Sequence, residues 1–121
     1  MTLEETVDLY CSAWSEPDRE KRLAVLREVL TPEATYVDPR TDVEGHEALA
    51  AHIEQVLATR PGARIARTSV VDVHHDRARF AWHLVQSDGT TLPGIDIVEI
   101  DLASGKLRSI LGFFGPLVEL G

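Results

Sequence analysis

Near residue 62 the hydrophobic pattern of this chain changes its period, and that change restricts the available folds more than any other feature. Upstream, Leu3, Val7, Tyr10, Cys11 and Trp14 stand three and four apart, the spacing of one face of an amphipathic helix. Thr2 is its expected N-cap, with Glu5 completing a capping box. "SEPDRE" interrupts the pattern, and Leu23, Leu26, Val29 and Leu30 resume it in a second helix ending near Thr31-Pro32, so the two make a helical hairpin. "ATYVD" reads as a short strand. Gly45 then opens a third helix with Leu49, Ile53, Val56 and Leu57 as its apolar stripe, closed by Arg60-Pro61-Gly62. Downstream, "ARIARTSVVDVHH", "RARFAWHLVQ", "LPGIDIVEID" and "KLRSILGFF" are strand-like runs. The turn signals "HHD", "SDGT" and "ASGK" separate them at the roughly 8–12-residue spacing of an antiparallel meander.

Helices first and strands afterwards predict an α+β fold: three N-terminal helices packed on one face of a strongly curved, mainly antiparallel sheet. At 121 residues and 44% hydrophobic content the chain suits one domain, 1–121, with a core of its own. A bent sheet with helices across its open side encloses an interior, the kind of place where small molecules bind.

The charge balance narrows the partners. Twenty acidic against 12 basic side chains give −8 at neutral pH, with the bases scattered, which argues against nucleic acid and anionic membranes. The first ten residues have neither a basic stretch nor an apolar core, and no apolar run approaches the roughly 20 residues of a spanning helix, so a cytoplasmic protein is expected. The single cysteine, Cys11, excludes an internal disulfide and reads as a small buried residue. No metal is expected: His74 and His75 adjoin in a predicted turn, where neighbouring side chains diverge.

Three polar residues stand where apolar ones are expected. Tyr36 and Asp38 leave the same face of "ATYVD", opposite Val37. Asp38 then either caps the turn into Pro39 or presents a carboxylate to apolar surroundings, where burial without a partner makes a more basic, proton-abstracting group. Asp96 in "GIDIVEI" shares a face with Gly94, Val98 and Ile100, so it must be paired, protonated or functional. Protonated, it would donate a hydrogen bond to a substrate oxygen; the alternative is a structural Asp tied to backbone amides or to an arginine such as Arg108. Tyr10 lies on the apolar face of the first helix one turn before Trp14, either as core or as a hydroxyl donor.

Taken in order, "LYCSAW", "ATYVDP", "EGHEAL", "PGIDIVEID" and "ILGFFG" resemble the nuclear-transport-factor-2-like superfamily over nearly the whole chain, and within it the SnoaL-like and ketosteroid-isomerase-like enzymes. The resemblance implies that superfamily's cone. It matches the isomerases' general base to Asp38, their tyrosine donor to Tyr10 and their protonated acid to Asp96. It further implies a substrate pocket of Trp14, Tyr36, His52, His83, Ile110 and Phe114. For His83 the resemblance puts Ala81, His83 and Val85 inside, whereas hydrophobicity puts Phe80, Trp82 and Leu84 there, and a slip of one residue exchanges the two sets.

Such a trio suits cofactor-free proton transfer at a carbon next to a carbonyl, as in an isomerase or a polyketide-cyclase-like lyase, on a small apolar or carbonyl-bearing ligand. A non-catalytic ligand-binding module is the alternative. The charged "RTDVEGH" loop, with Arg40, Asp42, Glu44 and His46, is expected beside the mouth, less apolar than a steroid rim requires. Ile95 and Ile97 alternate away from Asp96 onto the outer face of the sheet, which predicts a homodimer through that face.

Overall fold

The computed structural model describes residues 1–121. Three helices, α1 (Leu3–Ala13), α2 (Arg19–Val29) and α3 (His46–Thr59), cover the concave side of one seven-stranded sheet. Its strands are β1 (Leu30–Asp38), β2 (Thr41–Glu44), β3 (Arg64–Arg67), β4 (Asp72–His74), β5 (Arg77–Val85), β6 (Thr91–Ile100) and β7 (Leu107–Phe114). The order is β2-β1-β7-β6-β5-β3, with β4 also on β5; every pairing is antiparallel except β1 with β7. This is the α+β cone expected from the change of period.

Local chemistry accounts for the helix ends. Thr2 Oγ1 accepts from the Glu5 amide while Glu5 Oε1 accepts from the Thr2 amide, which completes the expected capping box. Asp18 caps α2 by accepting from the amides of Glu20 and Lys21. Gly45 caps α3 at φ +91°, a conformation costly to any residue with a Cβ.

Three boundaries differ from expectation. The second helix ends at Val29, before Thr31-Pro32, and the chain runs directly into β1, which therefore begins at Leu30 and not at Ala34. The charged segment after Pro39, read as a loop, forms β2, pairing Thr35–Asp38 with Glu44–Thr41 in a tight hairpin. "ARIARTSVVDVHH" is two strands: residues 68–71 face only Phe80 and Ala81 of β5, so the surplus bulges out, with the Thr68 amide on the Ala81 carbonyl and Ser69 Oγ accepting from the Ala81 amide. An unbroken β-branched run carries no mark of such a bulge.

The core lies between the helices and the concave face. Val7, Leu26, Ile53, Phe80, Val98 and Ile110 are among its fully buried side chains. Arg22 joins them at 1% exposure, where its guanidinium donates to the carbonyls of Glu16, Pro17 and Ala50 and so ties the α1–α2 turn to α3. Nothing in the helical periodicity distinguishes this arginine from a surface one.

Side-chain parity in the long strands positions the interior. On β5 the buried residues are Ala78, Phe80, Trp82 and Leu84, and on β6 they are Gly94, Asp96, Val98 and Ile100. The resemblance-based placement of Ala81, His83 and Val85 inside is therefore corrected: His83 points to the outer face, because the parity that buries Phe80, Trp82 and Leu84 removes far more apolar surface from water. Trp82 fits only because Gly94 stands opposite it; a Cβ on Gly94 would lie 2.1 Å from the indole ring. Gly94→Ala should displace Trp82 and destabilise the fold by about 1–3 kcal/mol, read as a lower denaturation midpoint with altered tryptophan emission.

Candidate functional site

Inside the cone is a cavity of about 370 Å³, mostly apolar, in which the polar residues singled out in the sequence converge. Tyr10 and Trp14 enter from α1, Tyr36 and Asp38 from β1, His52 and Val56 from α3, and Trp82, Asp96 and Phe114 from the sheet. Ile110 is buried in the core but does not line the cavity, and neither does His83. Trp82 and Leu84 line it, as the hydrophobic parity of that strand expects, while Arg60 and Leu92 line it without having been singled out, since only strand register and the C-terminal turn of α3 bring them there.

Asp38 divides its two oxygens between the readings the sequence left open. Oδ1 accepts from the amides of Arg40 (2.8 Å) and Thr41 (3.1 Å), which is the turn-capping role. Oδ2 faces the cavity, accepts from the Tyr36 hydroxyl at 2.6 Å and lies 4.0 Å from His52 Nε2. The carboxylate is thus buried but partnered, which corrects the expectation of an unpaired group. Its neighbours are held in turn: Tyr36 packs against Trp14 at 5.5 Å between centroids, and His52 against Trp14 at 5.9 Å. Burial holds the His52 imidazole below its usual pKa despite the nearby Asp38, so the ring is mainly neutral at pH 7 and can either give or take a hydrogen bond.

Asp96 has a different environment. Trp82 Nε1 donates to its Oδ1 at 3.0 Å, the only side-chain hydrogen bond to this carboxyl. Arg108, its possible partner by sequence, instead bridges Asp76 and Glu99. Burial in an apolar wall pushes the Asp96 pKa up to about 7, against the opposing Trp82 hydrogen bond. Gly112 separates it from Asp38: a Cβ there would be 3.0 Å from Asp96 Oδ1 and 3.5 Å from Asp38 Cβ. The two carboxyl groups therefore flank one glycine on a shared wall.

Tyr10 is 2% exposed, and its hydroxyl oxygen accepts from Trp14 Nε1 at 3.0 Å while no group of the chain takes its own proton. Burial, reinforced by Asp96, keeps that phenol neutral well beyond its ordinary range. Cys11, one residue on, is buried with its thiol pushed up to about 12, an inert small side chain. His74 and His75 meet each other at the β4–β5 turn, away from the cavity, and no cluster of three His, Cys, Asp or Glu side chains surrounds any point.

A SnoaL-like domain matches residues 7–110 of the sequence. The chain belongs to the SnoaL-like family. Among solved structures it is similar to a SnoaL-like family protein from Agrobacterium tumefaciens described as a candidate isomerase, at 30% identity and TM-score 0.87 over 96% of this chain and 100% of that one. A candidate SnoaL-like polyketide cyclase from Jannaschia sp. shares 21% identity at TM-score 0.71, covering 93% of this SnoaL-like chain and 84% of its own. An NTF2-like protein of unknown function from Exiguobacterium sp., 21% identical at TM-score 0.72 over 93% and 99% of the two chains, shares the fold. No curated protein matches the chain. No helix is long and apolar enough to cross a membrane.

The raised pKa of Asp96 has a stability consequence of definite sign. An acid whose folded-state value lies above its ordinary 3.8 holds its proton more tightly folded than unfolded, so its contribution to stability declines as pH rises from about 4 to about 7 and then levels off. Asp96→Asn has no such proton to lose. The stability of that variant relative to wild type should rise by on the order of 3 kcal/mol across this window, measured by urea denaturation at a series of pH values.

Proposed function

We propose that this SnoaL-like protein is a cofactor-free enzyme that moves a proton at a carbon next to a carbonyl, as an isomerase or a polyketide-cyclase-like lyase. The observation that carries the reading is the meeting, in one apolar cavity, of a carboxylate oxygen (Asp38 Oδ2) with two neutral donors, the Tyr10 phenol and the Asp96 carboxyl. Carboxylate and carboxylic acid are two states of one chemical group. At Asp38 two turn amides and a tyrosine hydroxyl occupy the carboxyl oxygens, while at Asp96 an apolar wall favours the neutral state.

In this reading the substrate carbonyl oxygen accepts from Tyr10 and Asp96, and Asp38 Oδ2 removes the α-proton. The charge that develops on oxygen is met by donors already oriented and kept from water. Returning the proton to another carbon completes an isomerisation; attack of the enolate on a second carbonyl closes a ring. His52, neutral and 4.0 Å from Asp38, is placed to relay the proton. One observation favours a second reading, a ligand-binding module without chemistry: Asp38 already accepts three hydrogen bonds, so its burial alone does not call for a reaction.

The convex face of the sheet supports self-association. Ile95 pairs with Phe113 and Ile97 with Leu111, and all four are between 39% and 54% exposed in one contiguous patch. A homodimer through this face would cover it.

Ketones, cyclic and linear, incubated with the protein in deuterated buffer should exchange their α-protons as followed by proton NMR. Asp38→Asn should slow that exchange by about 10²–10⁴-fold with little loss of fold, since an Asn side-chain oxygen can still accept from the amides of Arg40 and Thr41. Equal exchange in the variant would remove Asp38 as the base, and no exchange with any ketone would favour the binding module. The same rate in wild type should fall above pH 7 as Asp96 ionises, and Asp96→Asn, which still donates a hydrogen bond, should flatten that limb. Light scattering at micromolar concentration should return a dimer for wild type and a monomer for Ile97→Glu; a monomeric wild type would contradict the association.

A further inference from the structure

At the mouth of the cavity two arginines stand without a counter-charge. Arg40 follows Asp38 in the β1–β2 turn; its backbone amide is used by Asp38, but its exposed guanidinium makes no hydrogen bond or ion pair within the chain. Arg60 ends α3 and lines the same cavity. Its side chain donates at 2.7 Å to Gln86 Oε1, a neutral amide that is itself fixed by donating to Thr90 Oγ1 at 2.8 Å. Arg60 is thus oriented without being neutralised.

Carboxylates outnumber basic side chains 20 to 12, and Arg27, Arg67, Arg77, Arg79 and Arg108 all pair with one. Arg22 is consumed by buried carbonyls. Arg19 and Arg64 are also unpaired, but neither lines the cavity. A cation at the C-terminus of α3 would interact favourably with the helix dipole. That does not account for its fixation against Gln86 at a cavity wall, nor for a second free arginine in a different element on the same rim.

The placement also has a direction. His52, Val56 and Arg60 succeed one another at four-residue intervals on α3 and all line the cavity. At 1.5 Å per residue, Arg60 lies about 12 Å along the helix axis from His52. The stretch between is apolar, with Val56, Ile65, Leu84 and Leu92. A ligand with its carbonyl beside Asp38 and Asp96 would extend an apolar body along α3 and meet Arg60 at its far end, with Arg40 on the rim next to Asp38.

We infer that the substrate is a carbonyl compound with an apolar body and an anionic carboxylate tail, bound at the cavity mouth by Arg40 and Arg60. This rests on the proposed site for its choice of the carbonyl end. Arginine suits the far end because its planar fork offers paired donors to a carboxylate. The two cations also offset the repulsion an anion would meet on approaching a chain of net charge −8.

Binding of the keto acid 4-(4-oxocyclohexyl)butanoate and of its primary amide, measured by isothermal titration calorimetry on the intact chain, tests this without requiring turnover. The acid should bind at least about tenfold more tightly than the amide, as expected for charge-assisted hydrogen bonds, and added salt should weaken the acid selectively. Arg40→Gln and Arg60→Gln should each reduce the ratio of the two affinities, the double variant should bring it to about one, and Arg60→Lys should keep part of it. Equal binding of acid and amide, a preference that survives the double variant, or no binding of either probe would each overturn the inference. Asp38→Asn should retain the acid preference. Loss of ketone exchange with the preference intact thus sinks the proton-transfer reading alone, and exchange at a neutral ketone without any acid preference sinks only the carboxylate tail.

Discussion

The burial of the Asp96 carboxyl in an apolar sheet face constrains the rest of the interior. A charged group there would cost several kcal/mol without compensation, and its only side-chain partner is the Trp82 indole N–H. For that indole to reach, β5 must pair with β6 in the register that sets Trp82 against Gly94, and residue 94 must lack a Cβ. The same register fixes Phe80 and Leu84 inward and sends His83 outward. One hydrogen bond, one glycine and one strand parity therefore stand or fall together, and the cavity floor follows from them.

Opposite environments for two identical side chains then become possible within one wall. At Asp38 the sharp β1–β2 turn brings two backbone amides onto one oxygen and the Tyr36 hydroxyl onto the other. At Asp96 the flat middle of a strand offers no amides, because ladder pairing has used them. Gly112 keeps the two carboxyl groups near one another without a side chain between them. Strand position, a turn in one case and a ladder interior in the other, thus gives the two carboxyl groups different hydrogen-bond partners.

The helices contribute position more than chemistry. Arg22 anchors the α1–α2 turn to α3 through three carbonyls, which holds α1 and α3 at the distance that leaves a cavity beneath them. Tyr10 and Trp14 on α1, linked by a hydrogen bond, form one side of that cavity, and the His52–Val56–Arg60 row of α3 runs along another from the polar end to the rim. Gradation from a buried acid pair through apolar walls to Arg60 is a property of the assembled cone and of no single element.

Much of this was legible in residue order. Helical and strand periods on either side of residue 62 predict three helices and a meander, the capping box predicts the start of α1, and an acid flanked by isoleucines predicts an anomalous carboxyl, because these depend on contacts within one element. Asp38 was recognisable as a residue with two possible tasks, but that one oxygen meets the turn amides while the other meets Tyr36 depends on these groups closing around it. What only the tertiary structure decided involves partners distant along the chain: the bulge that splits residues 64–74, the inward face of β5, the exclusion of Ile110 and His83 from the cavity lining, and the presence of both Arg40 and Arg60 in that lining. A period of two is equally satisfied by either parity, and only the apolar surface buried against α1 and α3 distinguishes them.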